Sequence, residues 1–162
     1  MEAHEGDITA LAVDAIVNAA NEQLRAGAGV CGAIFAAAGP RLPAACAAVG
    51  GCVTGDAVAT PGFDLPASWI IHTVGPVWHG GGHGEADLLA SCYRRSMEEA
   101  VAVGARSVAF PAISTGVFGY PADDAAAVAV ATTTATDDLD LDRVVLVAFD
   151  EATRRRYDAL LA

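Results

Sequence analysis

The sequence SVAFPAISTGVFGYP, residues 107–121, couples an apolar run to a loop that contains two glycines. The run Ser107–Phe110 predicts a short buried strand, and the residues after the loop predict a helix over Asp123–Thr136. Acidic residues in the first turn of that helix suit the positive end of its dipole. A strand, a glycine loop and a helix in this order are typical of α/β proteins, whose ligands bind beside the carboxyl ends of strands.

The same alternation continues on both sides of this segment. Downstream, Arg143–Phe149 predicts a buried strand and Glu151–Leu161 a closing helix. Upstream, apolar residues recur at helical spacing from Asp87 until Gly104 ends the helix. The other predicted strands are Val13–Val17, Asp56–Thr60 and Trp69–Val74, and the other predicted helices are Val30–Ala38 and Leu42–Val49. We therefore predict one domain over residues 1–162, an α/β fold with three layers, α/β/α.

Composition limits the partners of the chain. Its 162 residues are 54% hydrophobic and 18% charged, which is sufficient for a packed core and excludes intrinsic disorder. Acidic residues outnumber basic ones by 20 to 9, giving a formal net charge of −11. This charge argues against an extended nucleic-acid surface and against an anionic membrane. A small anion can still bind to backbone N–H groups, which carry no net charge.

Neither the cysteines nor the N-terminus indicates export. The cysteines show no CxxC spacing and predict reduced, mostly buried thiols at Cys31, Cys46, Cys52 and Cys92. The N-terminal residues are polar and acidic, unlike those of a signal peptide. No apolar run approaches the roughly 20 residues of a membrane span. We expect a soluble, cytoplasmic protein that acts as a monomer.

A second glycine loop, GAGVCG at 27–32, precedes the first predicted helix. It matches the GxGxxG pattern of dinucleotide-binding folds, but residues 18–26 separate it from the preceding strand and no acid closes the next one. A hydride-transferring Rossmann enzyme is therefore the least favoured alternative. A glycine loop that opens a helix still presents free N–H groups to an anion. The two loops together predict a bound diphosphate, although each alone is also compatible with a structural turn.

Polar side chains near these loops are further candidates for function. Asn18 is expected to tie the loop backbone, and Asn21 to meet a ligand hydroxyl or orient a water. Asp7 could accept a hydrogen bond from an exocyclic amine, although a solvated carboxylate is the simpler interpretation. The loop His79–Gly84 has two histidines but no third ligand nearby, so it predicts a surface loop rather than a zinc site. His72 lies within a strand and predicts a hydrogen-bonded core residue.

Taken together, these motifs resemble those of the macrodomain family, and more narrowly its MacroD-type branch. The resemblance runs in register from Gly6 to about Leu161 and rests on GDIT at 6–9, DAIVNAAN at 14–21, the loop at 27–32, PGFDLP at 61–66, IHTVGP at 71–76 and the segment 107–121. It implies a mixed central sheet between helical layers and a cleft that binds ADP-ribose. It also implies removal of ADP-ribose from modified macromolecules, or deacetylation of O-acetyl-ADP-ribose, with no metal or other cofactor.

By position, the resemblance assigns a role to each group of candidate residues. Asp7 would accept from the adenine amine beside the Ile8 backbone, and Phe149 would stack on the adenine ring. Backbone N–H groups of Gly29 and Val30 would bind one side of the diphosphate. Asn21 would contact the distal ribose and hold the attacking water, helped by the substrate phosphate. The other side of the diphosphate would be held by Ser114, Thr115, Gly116, Val117 and Phe118, the last of which also walls the distal ribose.

The chain departs from the MacroD-type pattern in its catalytic loop. That loop usually ends Gly-Val-Asp-Gly-x-Ile-His, whereas this chain has Cys31 in place of the acid and Phe35 in place of the histidine. Three interpretations stay open. Hydrolysis persists without a protein base, or the Cys31 thiol participates, or the chain is a reader that binds ADP-ribose without cleaving it. We favour the first, because a general base is typically worth about 10²–10⁴-fold and positioning can supply the rest.

Overall fold

The structure, a computed structural model, describes residues 1–136 and 138–162, which form a six-stranded sheet between two layers of helices. The strands are β1 (Glu2–Glu5), β2 (Ala15–Ala19), β3 (Ala57–Pro61), β4 (Trp69–Thr73), β5 (Ser107–Phe110) and β6 (Arg143–Ala148). The helices are α1 (Gly29–Ala38), α2 (Leu42–Val49), α3 (Glu85–Ala102), α4 (Ala122–Thr134) and α5 (Glu151–Leu161), and a 3₁₀ turn covers Ile8–Ala10. The predicted α/β/α architecture is confirmed.

The sheet is mixed, as the resemblance implies. Its strand order is β1-β6-β5-β2-β4-β3, and every neighbouring pair is parallel except β3 with β4. In that antiparallel pair, Ala57 lies opposite Thr73 and Pro61 opposite Trp69. Because five strands run in the same direction, their carboxyl ends share one edge of the sheet, where ligands of open α/β sheets bind. We call this edge the carboxyl edge.

The core consists of two apolar clusters, one on each face of the sheet. Helices α3, α4 and α5 cover the first cluster, and α1 and α2 cover the second. Along β2, Ala15 and Val17 belong to the first cluster while Ile16 belongs to the second. Side chains alternate between faces along a strand, so a strand covered on both faces is apolar throughout. This burial on both faces is why the pattern of β2 predicts a strand.

Helices α1 and α2 follow each other across a sharp bend. Gly39 ends α1 with a φ of +91°, and a Cβ there would collide with the Asp64 carboxylate, so only glycine fits. Gly50 ends α2 in the left-handed region, at φ +92°. No single helix among the described residues is long and apolar enough to cross a membrane, and α1 and α2 meet that length and composition test only as a joined pair, bent by 114°.

The structure corrects several predicted boundaries. Strand β1 is not predicted, because this edge strand is polar and largely exposed and pairs with β6 through its backbone. Helix α3 begins at Glu85 rather than Asp87, directly after Gly84, whose left-handed backbone ends the preceding loop. Helix α4 covers Ala122–Thr134 rather than Asp123–Thr136, and α1 begins at Gly29 rather than Val30. The β2, β3, β4 and β6 boundaries differ from the prediction by one or two residues.

Candidate functional site

The loops that follow the parallel strands meet at the carboxyl edge. The segment after β1 holds Asp7, the one after β2 leads to Asn21 and α1, and the ones after β5 and β6 hold Ser114 and Phe149. The residues for which the sequence predicts ligand contacts therefore lie at one edge of the sheet, on these loops, in the 3₁₀ turn or in the first turn of α1. They are Asp7, Ile8, Asn21, Gly29, Val30, Cys31, Ser114, Thr115, Gly116, Val117, Phe118 and Phe149.

The start of α1 presents backbone donors that no side chain caps. The N-cap residue is Ala28, which has no oxygen with which to accept from the first helical N–H groups. Gly29 follows with a φ of +61°, and a Cβ built on it would meet open space beyond its chain neighbours and the backbone of its own helix. Both residues are exposed. Free N–H groups at the positive end of a helix dipole favour a bound anion.

The loop between β5 and α4 is folded tightly by its own backbone. Tyr120 N–H donates to the Ser114 carbonyl and Gly119 N–H to the Gly116 carbonyl, each with an N···O distance of 3.0 Å. Thr115 Oγ1 donates to a backbone carbonyl at the start of the loop, 3.1 Å away. The tip of this loop is open to solvent. A rigid loop with an exposed tip suits a second set of backbone contacts to a ligand.

Ser114, where this loop turns, has a strained backbone. Its φ of +66° lies in the left-handed region, which costs a non-glycine residue about 1–2 kcal/mol. Its buried Oγ has no hydrogen-bond partner among the described residues. Gly75, just after β4, packs so closely against this hydroxyl that a Cβ there would collide with it. The sequence pattern does not reveal the importance of Gly75, because the contact joins distant parts of the chain.

The Arg25 backbone organises the loop between β2 and α1. The Asn21 amide accepts from Arg25 N–H through Oδ1 and donates to the Arg25 carbonyl through Nδ2, both at 2.9 Å. Cys31 Sγ donates to the same carbonyl at 3.6 Å. Asn21, predicted to be free for a ligand, is thus also tied to its own loop. It keeps one N–H and one lone pair for further contacts. Sequence reasoning misses Arg25, because its role belongs to the backbone.

A buried polar cluster lies beneath this loop. Asn18 Nδ2 is 3.1 Å from His72 Nδ1 and 3.7 Å from Cys31 Sγ, and His72 Nε2 is 2.9 Å from Thr60 Oγ1. We assign the proton of the neutral ring to Nε2, because the Asn18 amide N–H faces Nδ1, and Nε2 then donates to Thr60. Asn18 is structural, as predicted, but its partners are side chains rather than loop backbone. Cys31 as a whole residue is only 6% exposed.

The cluster predicts a specific pH dependence of stability. Burial lowers the pKa of His72 from 6.5 to about 4. Between these values the unfolded chain binds a proton that the folded chain does not, so stability rises with pH across this window. We expect the free energy of unfolding to fall by about 3 kcal/mol from about pH 7 to about pH 4 through this group. Urea unfolding of wild type and His72→Gln measures it, and an equal pH dependence in the two proteins contradicts the assignment.

Asp7 and Phe149 lie toward the β1–β6 end of the carboxyl edge. Thr9 donates to Asp7 Oδ1 from its hydroxyl at 2.7 Å and from its N–H at 2.9 Å. These bonds, the hydroxyl one first, lower the pKa of Asp7, so its carboxylate is charged at neutral pH. Gly6 N–H donates to the Ala148 carbonyl, which joins the two segments. Phe149 is 95% exposed, and so large an exposed ring is available to stack on a ligand.

The histidines of the loop His79–Gly84 are exposed, as predicted, with ring centroids 5.7 Å apart for His79 and His83. In the described parts of the chain, no group of three His, Cys, Asp or Glu side chains could hold a metal ion. The nearby carboxylate of Glu85 instead accepts three backbone N–H groups of this loop. The loop is therefore fixed in place, although its residues face solvent.

Comparison with known proteins gives a consistent result. The family model described as Macro domain matches residues 17–129. A macro domain-containing protein of Chlorobaculum tepidum is 52% identical and covers 100% of this chain and 95% of its own length. A protein of Klebsiella pneumoniae named O-acetyl-ADP-ribose deacetylase is 57% identical and covers 97% of this chain and 93% of its own length.

Solved structures agree with these sequence matches. A mutant of the Oceanobacillus iheyensis macrodomain with ADPR has a TM-score of 0.91 and 41% identity, covering 99% of this chain and 90% of that one. The Trypanosoma brucei macrodomain in complex with ADP-ribose has a TM-score of 0.91 and 39% identity, covering 99% of this chain and 68% of that one. Both similarities extend over almost the entire chain described above.

Proposed function

Since this chain belongs to the Macro domain family, we propose that it binds ADP-ribose at the carboxyl edge and hydrolyses conjugates of ADP-ribose. Relatives named O-acetyl-ADP-ribose deacetylase and a structural neighbour in complex with ADP-ribose support this proposal. One structural observation on this chain gives the main support for the proposal. The uncapped start of α1 and the loop 114–118 place two sets of neutral donors at one edge of a protein that contains no lysine.

The strand order supports one orientation of the ligand along this edge. Phe149 and Asp7 follow the neighbouring strands β6 and β1, the loop 114–118 follows β5, and Asn21 follows β2. Adenine is placed at Phe149, the diphosphate between α1 and the loop 114–118, and the distal ribose near Asn21. The order of the loops thus matches the order of groups in ADP-ribose, which supports the residue roles that the resemblance implies.

The proposed chemistry is attack by an ordered water. For an acetyl ester, the water oxygen bonds to the acyl carbon, the bond from that carbon to the ribose oxygen breaks, and the proton passes to the leaving oxygen. Asn21 contributes its remaining N–H and lone pair to positioning this water, together with the substrate phosphate. The Cys31 proton is engaged by the Arg25 carbonyl. The step is a hydrolysis and involves no redox change.

Turnover of two substrates tests the function. Purified protein is incubated with O-acetyl-ADP-ribose and, separately, with a carboxylate-linked mono-ADP-ribosylated protein, and free ADP-ribose is quantified. Release from either supports a hydrolase. Tight ADP-ribose binding without release supports the alternative of a reader that binds ADP-ribose without cleaving it. This alternative stays open because Cys31 and Phe35 replace the usual acid and histidine. We also propose that the protein acts on ADP-ribosylated macromolecules, that it is cytoplasmic and that it is a monomer. Cell fractionation tests the location, and sedimentation tests the oligomeric state.

Asp7→Ala tests the adenine end of the site. We expect it to weaken ADP-ribose binding by about 1–3 kcal/mol, because a charged hydrogen-bond acceptor is lost. Asp7→Asn is the matched control, since it keeps an oxygen for the Thr9 cap and should bind with intermediate affinity. Thermal unfolding is recorded in parallel because losing a cap costs about 1 kcal/mol of stability. An unchanged calorimetric affinity of Asp7→Ala for ADP-ribose would contradict the placement of adenine beside Asp7.

A further inference from the structure

A single buried carboxylate holds the loop His79–Gly84. Glu85 is 1% exposed, and its Oε2 accepts from the N–H groups of His79 and Gly81, each at 2.9 Å. Its Oε1 accepts from His83 N–H at 2.6 Å. These bonds, the one from His79 first, lower the pKa of Glu85 to about 2, so the carboxylate is charged at neutral pH. A buried charge with three donors is an anchor for the backbone that supplies them.

The anchored loop packs against the Trp78 indole. Gly81 has a φ of +90°, and a Cβ built there would lie 2.9 Å from Cη2 of that ring. The same indole packs on Tyr120, with ring centroids 4.6 Å apart. Trp78 N–H donates to the Phe118 carbonyl at 2.8 Å. Trp78 therefore joins the Glu85-anchored loop to the loop 114–120 through both its ring and its backbone.

We propose that Glu85 is a positioning residue for the ADP-ribose site. It fixes the loop 79–84, this loop holds Trp78, and Trp78 sets the position of Phe118 and Tyr120 at one wall of the cleft. This inference rests on the proposed function, in which the loop 114–118 contacts the diphosphate and the distal ribose. Because Glu85 acts only through Trp78, its loss weakens binding of ADP-ribose more than it slows the chemical step.

The test compares Glu85→Ala and Glu85→Gln with a matched control. Asp87 is exposed and stands in the same first turn of α3, so Asp87→Asn removes the same charge without touching the loop. We expect Glu85→Ala to raise the Kd for ADP-ribose and the KM at least about tenfold, while kcat changes by less than about threefold. Glu85→Gln retains one carbonyl acceptor and recovers part of the loss. Asp87→Asn matches wild type.

A second variant and a spectroscopic measurement extend the test. Gly81→Ala leaves the carboxylate intact but pushes a Cβ toward the Trp78 ring at a strained φ, so it raises Kd by the same route. The chain has two tryptophans, and Trp69→Phe makes Trp78 the only one. In that background, Glu85→Ala shifts the Trp78 emission to longer wavelength without any ligand, because the indole loses the loop that covers it.

Three results overturn the inference or separate it from the proposed function. Wild-type affinity with unchanged Trp78 emission in Glu85→Ala overturns it. A lower kcat with unchanged KM also overturns it, because Glu85 would then act on the chemistry instead of the loop. Failure of the proposed function looks different: neither wild type nor Asp87→Asn binds ADP-ribose, yet Trp78 emission still responds to Glu85→Ala. That outcome contradicts ADP-ribose binding at this edge but supports the role of Glu85 in holding the loop against Trp78.

Discussion

Gly29→Glu is expected to weaken ADP-ribose binding by more than about 100-fold, equivalent to about 2.7 kcal/mol. The variant places a carboxylate at the uncapped start of α1, where the proposal has neutral N–H groups meeting the diphosphate. Like charges then face each other at the positive end of the helix, and the side chain also fills the cleft. Since Gly29 is exposed with open space beside it, the new side chain does not disturb the core.

Two further substitutions separate the contributions to this effect. Gly29 has a φ of +61°, so any other residue there carries about 1–2 kcal/mol of backbone strain. Gly29→Ala introduces the strain alone, and Gly29→Gln adds bulk without charge. Calorimetry should give the weakest binding for Glu, intermediate binding for Gln and near wild-type binding for Ala, with similar losses of thermal stability. A folded Gly29→Glu protein that binds normally would refute the placement of the diphosphate.

The second large effect is on turnover. Asn21→Ala is expected to lower kcat by about 10²-fold or more, whereas Cys31→Ala stays within about threefold of wild type. Asn21 both positions the proposed water and holds the Arg25 backbone. The Cys31 thiol is buried and shares its proton with the Arg25 carbonyl, a geometry that suits support of the loop rather than proton abstraction from water. Release of free ADP-ribose from an ester-linked substrate measures both variants.

Conservative variants identify the cause of any loss. Asn21→Asp keeps an acceptor for Arg25 N–H but cannot donate to its carbonyl, so it shows how much of the effect comes from the loop. Cys31→Ser keeps a hydroxyl donor for that carbonyl. Lost turnover in Cys31→Ala but not in Cys31→Ser indicates a loop effect, whereas loss in both variants revives catalysis by the thiol. ADP-ribose affinity is measured for each variant, so that binding and chemistry are separated.

The accuracy of the predicted boundaries differs between elements. The predicted bounds of Leu42–Val49, Ser107–Phe110 and Glu151–Leu161 are confirmed to the residue. Strand β1 escapes prediction because an edge strand held by backbone bonds needs no apolar pattern. Its polar residues resemble a solvated terminus. A periodic or apolar pattern therefore reveals an element, whereas an edge strand held only by backbone pairing gives no such signal.

The same distinction holds at the candidate site. Glycine loops are visible in the sequence, and so are amides and carboxylates beside strands. Contacts made across the chain are not, as with Gly75 against Ser114 and with the Arg25 carbonyl that Asn21 and Cys31 share. A glutamate at the end of a glycine-rich loop is the one sequence signal that could have pointed to the Glu85 anchor, since a carboxylate there can accept from the N–H groups of the loop.

The uncapped start of α1 also bears on how such a protein can diverge. If peptide N–H groups bind the diphosphate, binding depends on the backbone conformation. Most side chains along these loops can then be replaced without loss of ligand binding. Only positions such as Gly29, where the backbone conformation itself requires glycine, are constrained. Cys31 and Phe35, which stand in place of the usual acid and histidine, are examples of such replacements. A chain that binds its ligand in this way can change its catalytic side chains and still bind the same ligand.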